Sequence, residues 1–133
     1  MSTAAPPRLA LQRTARLKQG RDFQRLRREG RRLVAGCLIA NWRRLPEGAP
    51  TRVGVVVSRK VGGAVHRSRA RRLLRETFRL HQRDLVEPVE LVLVARPAIA
   101  RKKLSDVEKD FLGTLRQARL LKTAGAGAEP LNR

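Results

Sequence analysis

"RVGVVVSRKVGGAVHRSRARRLLRETF", residues 52–78, carries a strand, a break and a helix in one run. Residues 52–58 are rich in β-branched side chains. Their nearly continuous apolar character predicts a strand buried on both faces. Gly62-Gly63 then breaks the strand. From about residue 64 to residue 82 the apolar positions recur at helical spacing. His66, Ala70, Leu73, Leu74 and Thr77 gather on one side, flanked by Phe78. Arg69, Arg71, Arg72, Arg75 and Arg79 spread over the other side, with Arg67 at the boundary. A second strongly apolar segment, "VELVLVA" at 89–95, predicts another strand that Pro97 ends. Together these make a βαβ unit, and a parallel pairing would carry the usual right-handed crossover.

Working outward, "FQRLRREG" at 23–30 predicts a short helix with Asp22 near its start and Gly30 past its end. Phe23 and Leu26 share one of its faces. Residues 33–44, "LVAGCLIANWRR", predict extended structure broken near Gly36, and "LPEGAP" at 45–50 is a turn-rich loop. Ser105 and Glu108 have capping-box spacing. They open a closing helix in which Leu104, Val107, Phe111, Leu115 and Ala118 recur. Residues 1–15 read as a flexible basic arm and 123–133 as a disordered tail, leaving one domain at 16–122. The order is α-β-β-β-α-β-α, an α+β sandwich with helices against a central mixed sheet.

The 133 residues include 31 Lys and Arg against 11 Asp and Glu, a formal net charge of +20. Such an excess works against compactness unless a polyanion offsets it. The predicted helix makes the point locally. Arg67, Arg71, Arg75 and Arg79 follow one another at i,i+4, where like charges cost roughly 0.2–0.5 kcal/mol per pair. A phosphate backbone reverses that sign. Arginines on one helical face stand about 5–6 Å apart, near the phosphate spacing of a strand. No Asn or Gln lies among them, so phosphate and shape contacts are expected rather than base reading.

Other classes are excluded or disfavoured. Cys37 is the only cysteine, so no intrachain disulfide or zinc cluster can form, as befits a reducing cytoplasm. No apolar run spans a bilayer, and no basic helix pairs with an exposed aromatic face, so no membrane partner is expected. A protein-only nuclease needs clustered carboxylates or histidines. Here the acids are scattered and His66 and His81 stand alone, so no catalytic or metal-ligating residue is assigned. His66 reads as a packed structural residue, Cys37 as core and Trp42 as sheet packing. A general or ribosomal RNA-binding protein is the alternative that composition leaves open.

"SRKVGGAVHRSRARRLLRETF", residues 58–78, resembles the signature of the bacterial ribonuclease P protein family. The match lies in Arg59-Lys60, Gly62, Ala64-Val65, Arg67-Ser68-Arg69, Arg71-Arg72 and Arg75. "RLKQGRDFQRLRREG" resembles the family's first helix, "VELVLVARP" its last strand and residues 104–121 its closing helix. The resemblance implies a ribosomal-protein-like domain with a left-handed βαβ crossover. It implies a protein subunit of a ribonucleoprotein endonuclease that removes 5′ leaders from precursor tRNA. The catalytic centre and its Mg2+ would belong to the RNA subunit. By matched position, Arg67, Ser68, Arg69, Arg71, Arg72 and Arg75 would contact the catalytic RNA, supported by Arg59 and Lys60. Phe23 would line a cleft that holds the single-stranded leader. Three positions depart from the family pattern. Ser68 stands for an asparagine, while Arg27 and Asn41 stand where cleft aromatics are common, which implies a more polar leader cleft.

Overall fold

The computed structural model describes residues 20–122, with side chains from residue 24 onward. The expected arm and tail lie outside the described residues. The helix expected at 23–30 begins earlier, as α1 at Gly20–Glu29. It ends where the chain must pass close to the sheet. A Cβ on Gly30 would lie 2.5 Å from the Trp42 carbonyl oxygen and 2.7 Å from that of Leu26. Only glycine allows that approach.

Strands β1 (Arg31–Ala35) and β2 (Leu38–Arg44) form an antiparallel hairpin, so the break near Gly36 is its turn. Gly36 has φ +53°, and a Cβ there would meet the Asp110 carboxylate at 2.2 Å. That carboxylate accepts the Cys37 backbone N–H at 3.0 Å, which pins the turn to the closing helix. Cys37 is fully buried beside it. Burial, with help from Asp110, pushes its thiol up to about 12.

Strand β3 (Arg52–Val56) runs parallel to β4 (Val89–Ala95), and β2 pairs antiparallel with β4 on its other side. The sheet order is β1-β2-β4-β3. The expectation of a doubly buried strand at 52–58 therefore needs correcting. β4 takes that central place, with six of its seven residues buried, while β3 is an edge and keeps Val55 and Val56 half-exposed. Both segments are β-branched and apolar, and only sheet order separates them.

α2 (Ala64–His81) and α3 (Leu104–Gln117) pack on one face of the sheet. The core there joins Ala70, Leu74 and Phe78 of α2, Val107, Phe111 and Leu115 of α3, and Leu38, Ala40, Trp42, Val53, Leu91 and Leu93 of the strands. Phe78 meets Phe111 edge-on at 6.5 Å. Two helix details depart from expectation. α3 is capped by Asp106, whose carboxylate accepts the Lys103 N–H at 3.1 Å, instead of by Ser105 and Glu108. His66 is exposed, because the first turn of α2 overhangs the sheet edge and carries Val65 at 80% exposure with it. Its ring lies over Gly62 instead of in the core.

Among the described residues, α1 covers the other face. Leu26, 1% exposed, packs on Val92 with Val56 and Val94 beside it.

Candidate nucleic-acid interface

Two cationic surfaces follow from this layout, one on each side of the sheet. The first starts where β3 ends. Ser58 Oγ accepts the Lys60 N–H at 3.2 Å and sets a 3₁₀ turn at Arg59–Val61. Val61 is buried, which anchors the turn and leaves Arg59 and Lys60 exposed. α2 follows at once. Its buried residues Ala70, Leu74, Thr77 and Phe78 face the sheet, so Ser68, Arg72 and Arg75 are exposed and Arg71 half-buried. Among the described residues the side chains of Arg59, Lys60, Arg71 and Arg72 make no hydrogen bond or ion pair.

Not every arginine of the stripe is turned outward. Arg67 Nη1 donates to the Gly62 carbonyl at 2.9 Å and braces the glycine turn. Arg69 Nη2 donates to the Lys102 carbonyl at 2.5 Å and ties α2 to the start of α3. Arg79 pairs with Glu76 and holds that carboxyl below its usual range. Glu76 is thereby spent on one arginine at the far end of the helix. Among the described residues, no acidic side chain pairs with the cations from Arg59 to Arg72.

The second surface is the sheet face beneath α1. Strand register lays three rows across it. Val34, Ile39, Val94 and Val56 form an apolar row, with Val34 48% exposed. Arg32, Asn41, Val92 and Gly54 form the middle row, on which Leu26 sits. Arg43, Glu90 and Arg52 form the third. Arg27 is exposed on α1 beside Leu26, and Asn41 is half-buried at the margin of the same contact. The Phe23 side chain lies outside the described residues. The Arg59-Lys60 turn leaves the sheet beyond the apolar row, so the floor runs from that turn over the apolar row and the mixed middle row to Arg43, Glu90 and Arg52 at the other end. Along β3 those ends stand about 20 Å apart.

Glu90 was not singled out from the sequence. Its side chain is 4% exposed, and three guanidinium groups surround it. Arg25 of α1 approaches to 2.6 Å, Arg43 to 3.0 Å and Arg52 to 3.7 Å. Arg43 also reaches Glu29 at the end of α1, at 3.9 Å. The available signal was one acid inside an otherwise apolar strand, a pattern that costs too much unless the charge is paired.

Among the described residues no three His, Cys, Asp or Glu side chains gather where they could hold an ion. No helix among them is long and apolar enough to cross a membrane.

A family model described as Ribonuclease P matches residues 11–119. The chain belongs to the ribonuclease P protein family. Among curated relatives, the ribonuclease P protein component of Chloroflexus aurantiacus is 39% identical over 113 residues, covering 84% of this chain and 82% of the relative. That of Brevibacillus brevis is 30% identical over 114 residues, covering 86% and 90%. The fold agrees with solved structures. The RNase P protein of Thermotoga maritima superposes with a TM-score of 0.67 at 28% identity, over 77% of this chain and 96% of that one. That of Staphylococcus aureus gives 0.73 at 24% identity, over 81% and 98%, a likeness of fold. Ribonuclease P family membership gives this chain an RNA partner and a place in an endoribonuclease complex. On α2, Glu76 pairs with Arg79 and leaves Arg71 and Arg72 without an acidic partner among the described residues.

Proposed function

We propose that this chain is the accessory protein subunit of ribonuclease P, acting in tRNA 5′ maturation in the cytoplasm, while the RNA subunit carries the catalytic centre. The observation that carries the reading is the cationic surface that Arg59, Lys60, Arg71, Arg72 and Arg75 present on a family member. Arg59, Lys60, Arg67, Ser68, Arg71, Arg72 and Arg75 would face phosphates of the catalytic RNA. Arg67 and Arg69 belong to the same motif but also brace the glycine turn and the start of α3, so their roles are divided.

The chemistry assigned to the chain is electrostatic. RNA subunit and precursor tRNA repel each other, and a cationic surface between them replaces condensed counterions. The cleft beneath α1 is the binding surface proposed for the single-stranded 5′ leader. Its apolar row suits base faces, and its charged ends suit phosphates. Arg27 and Asn41 put polar groups where a stacking ring would be sequence-tolerant. Mg2+ is proposed to be bound by the RNA. The described residues do not fit the ion, since they offer it guanidinium groups instead of clustered carboxylates.

The test is precursor-tRNA cleavage by a bacterial ribonuclease P RNA at low magnesium, with and without the chain. Stimulation at the mature 5′ end, lost when Arg71 and Arg72 are replaced by Ala, is the expected result. Tight RNA binding with no stimulation of the cognate RNA would sink the reading in favour of a general RNA-binding protein.

A further inference from the structure

We propose that Glu90 is a positioning residue that sets the width of the cleft between α1 and the sheet, and thereby controls binding of the single-stranded leader. This rests on the leader-binding reading above and names the device that makes the cleft.

Among its described side chains, α1 has little apolar burial to hold it in place. In GRDFQRLRRE the one described side chain that is buried and apolar is Leu26. Four of its ten residues are arginines, so the helix and the sheet row beneath it carry the same sign. Arg25 on the helix and Arg43 and Arg52 on the strands converge, and without an anion between them they would repel. Glu90 supplies that anion. Its Oε2 accepts from Arg25 at 2.6 Å, and its Oε1 accepts from Arg43 Nη2 at 3.0 Å and Nε at 3.3 Å.

The tie has two points. Arg25 and Glu29 are one helical turn apart and face the same way. Arg25 meets Glu90 directly, and Glu29 meets Arg43, which itself grips Glu90. One buried carboxylate on the central strand therefore fixes both position and tilt of α1. Because the carboxylate is nearly inaccessible, salt screens the tie less than it screens the α2 arginines. The arginine surface of α2 lies on the opposite face of the sheet, and no α2 residue takes part in these contacts. Loss of Glu90 is thus expected to affect the leader far more than the catalytic RNA.

The experiment compares two precursor tRNAs, one with a long leader and one with a single-nucleotide leader, cleaved by the reconstituted holoenzyme. Glu90→Gln keeps the shape and removes the charge. The expected result is a KM increase on the order of tenfold larger for the long leader than for the short one, with kcat much less affected. Glu90→Asp, which keeps the charge, should restore part of the difference. Arg25→Met cuts the tie from the helix side and should give the same leader-selective loss, which guards against a misfolded Glu90→Gln chain. Equal losses on both substrates, or no loss in either variant, would overturn the proposal. A wild-type holoenzyme indifferent to leader length would overturn the leader-binding reading itself, and the positioning role with it.

Discussion

His81 Nε2 lies 2.8 Å from Glu108 Oε2, and its Nδ1 lies 2.9 Å from Asp84 Oδ2. The last residue of α2 is thereby tied to the first turns of α3, with its ring tilted 6.3 Å from Phe111. Burial disfavours a charged ring, but the two carboxylates outweigh it and raise the His81 pKa above its ordinary value.

A pH dependence of stability follows. A folded-state pKa above the unfolded one means that the folded chain binds the extra proton. The stabilisation is complete below the unfolded value of about 6.5 and disappears as pH rises through the raised folded value. Thermal melts should therefore show Tm falling as pH rises across that window, and His81→Gln should flatten the fall. A melt curve of His81→Gln that keeps the wild-type slope would assign the effect elsewhere.

The arginine stripe should separate into two kinds of residue. Replacing Arg71 or Arg72 with Ala should leave thermal stability within about 0.5 kcal/mol, since neither is tied to the protein. Each loss of a phosphate contact should reduce the slope of log K against log salt for the catalytic RNA by about 0.7–0.9. Arg69→Ala should weaken RNA binding and also cost about 1 kcal/mol of stability, because it strips a donor from the Lys102 carbonyl. Denaturant titration beside RNA titration distinguishes the two patterns.

The polar character of the leader cleft can be reversed at one position. Arg27 is exposed next to Leu26, on the helix that covers the apolar row. Arg27→Phe should add base stacking of about 1–3 kcal/mol, read as a lower KM for long-leader precursor tRNA and a weaker salt dependence. No change in either quantity would place residue 27 away from the bound strand.

Gly30 should prove intolerant of even one methyl group. The atoms that a Cβ would strike, the carbonyl oxygens of Trp42 and Leu26, are backbone and cannot rotate aside. Gly30→Ala should cost about 1–3 kcal/mol and shift α1 on the sheet. Chemical denaturation measures the first effect. Leader-length dependence of cleavage measures the second.

Local pattern carried much of this protein into view. The β-branched run at 52–58, the glycine break, the amphipathic helix and the run at 89–95 are each decided within a few residues, and each is found in place, although β3 stops at Val56, two residues short of the expected end. Helix geometry also separates Arg71, Arg72 and Arg75 from Ala70, Leu74 and Phe78, but it did not show that Arg67 and Arg69 turn back to backbone carbonyls. Periodicity gives the direction in which a side chain points, however, and not how deep its turn lies. His66 points with the apolar stripe yet is exposed, since the start of α2 projects past the sheet.

Tertiary structure alone decided which apolar strand is central, because sheet order depends on pairings between distant segments. It also decided the fate of Glu90. Its partners Arg25 and Arg43 lie 65 and 47 residues away, and nothing local to 89–95 names them. A lone acid in an apolar strand announces that a charge must be paired, since burial makes an unpaired one too costly. Which cations meet it, and that they hold α1 over the sheet, is settled only when the strands and the first helix come together.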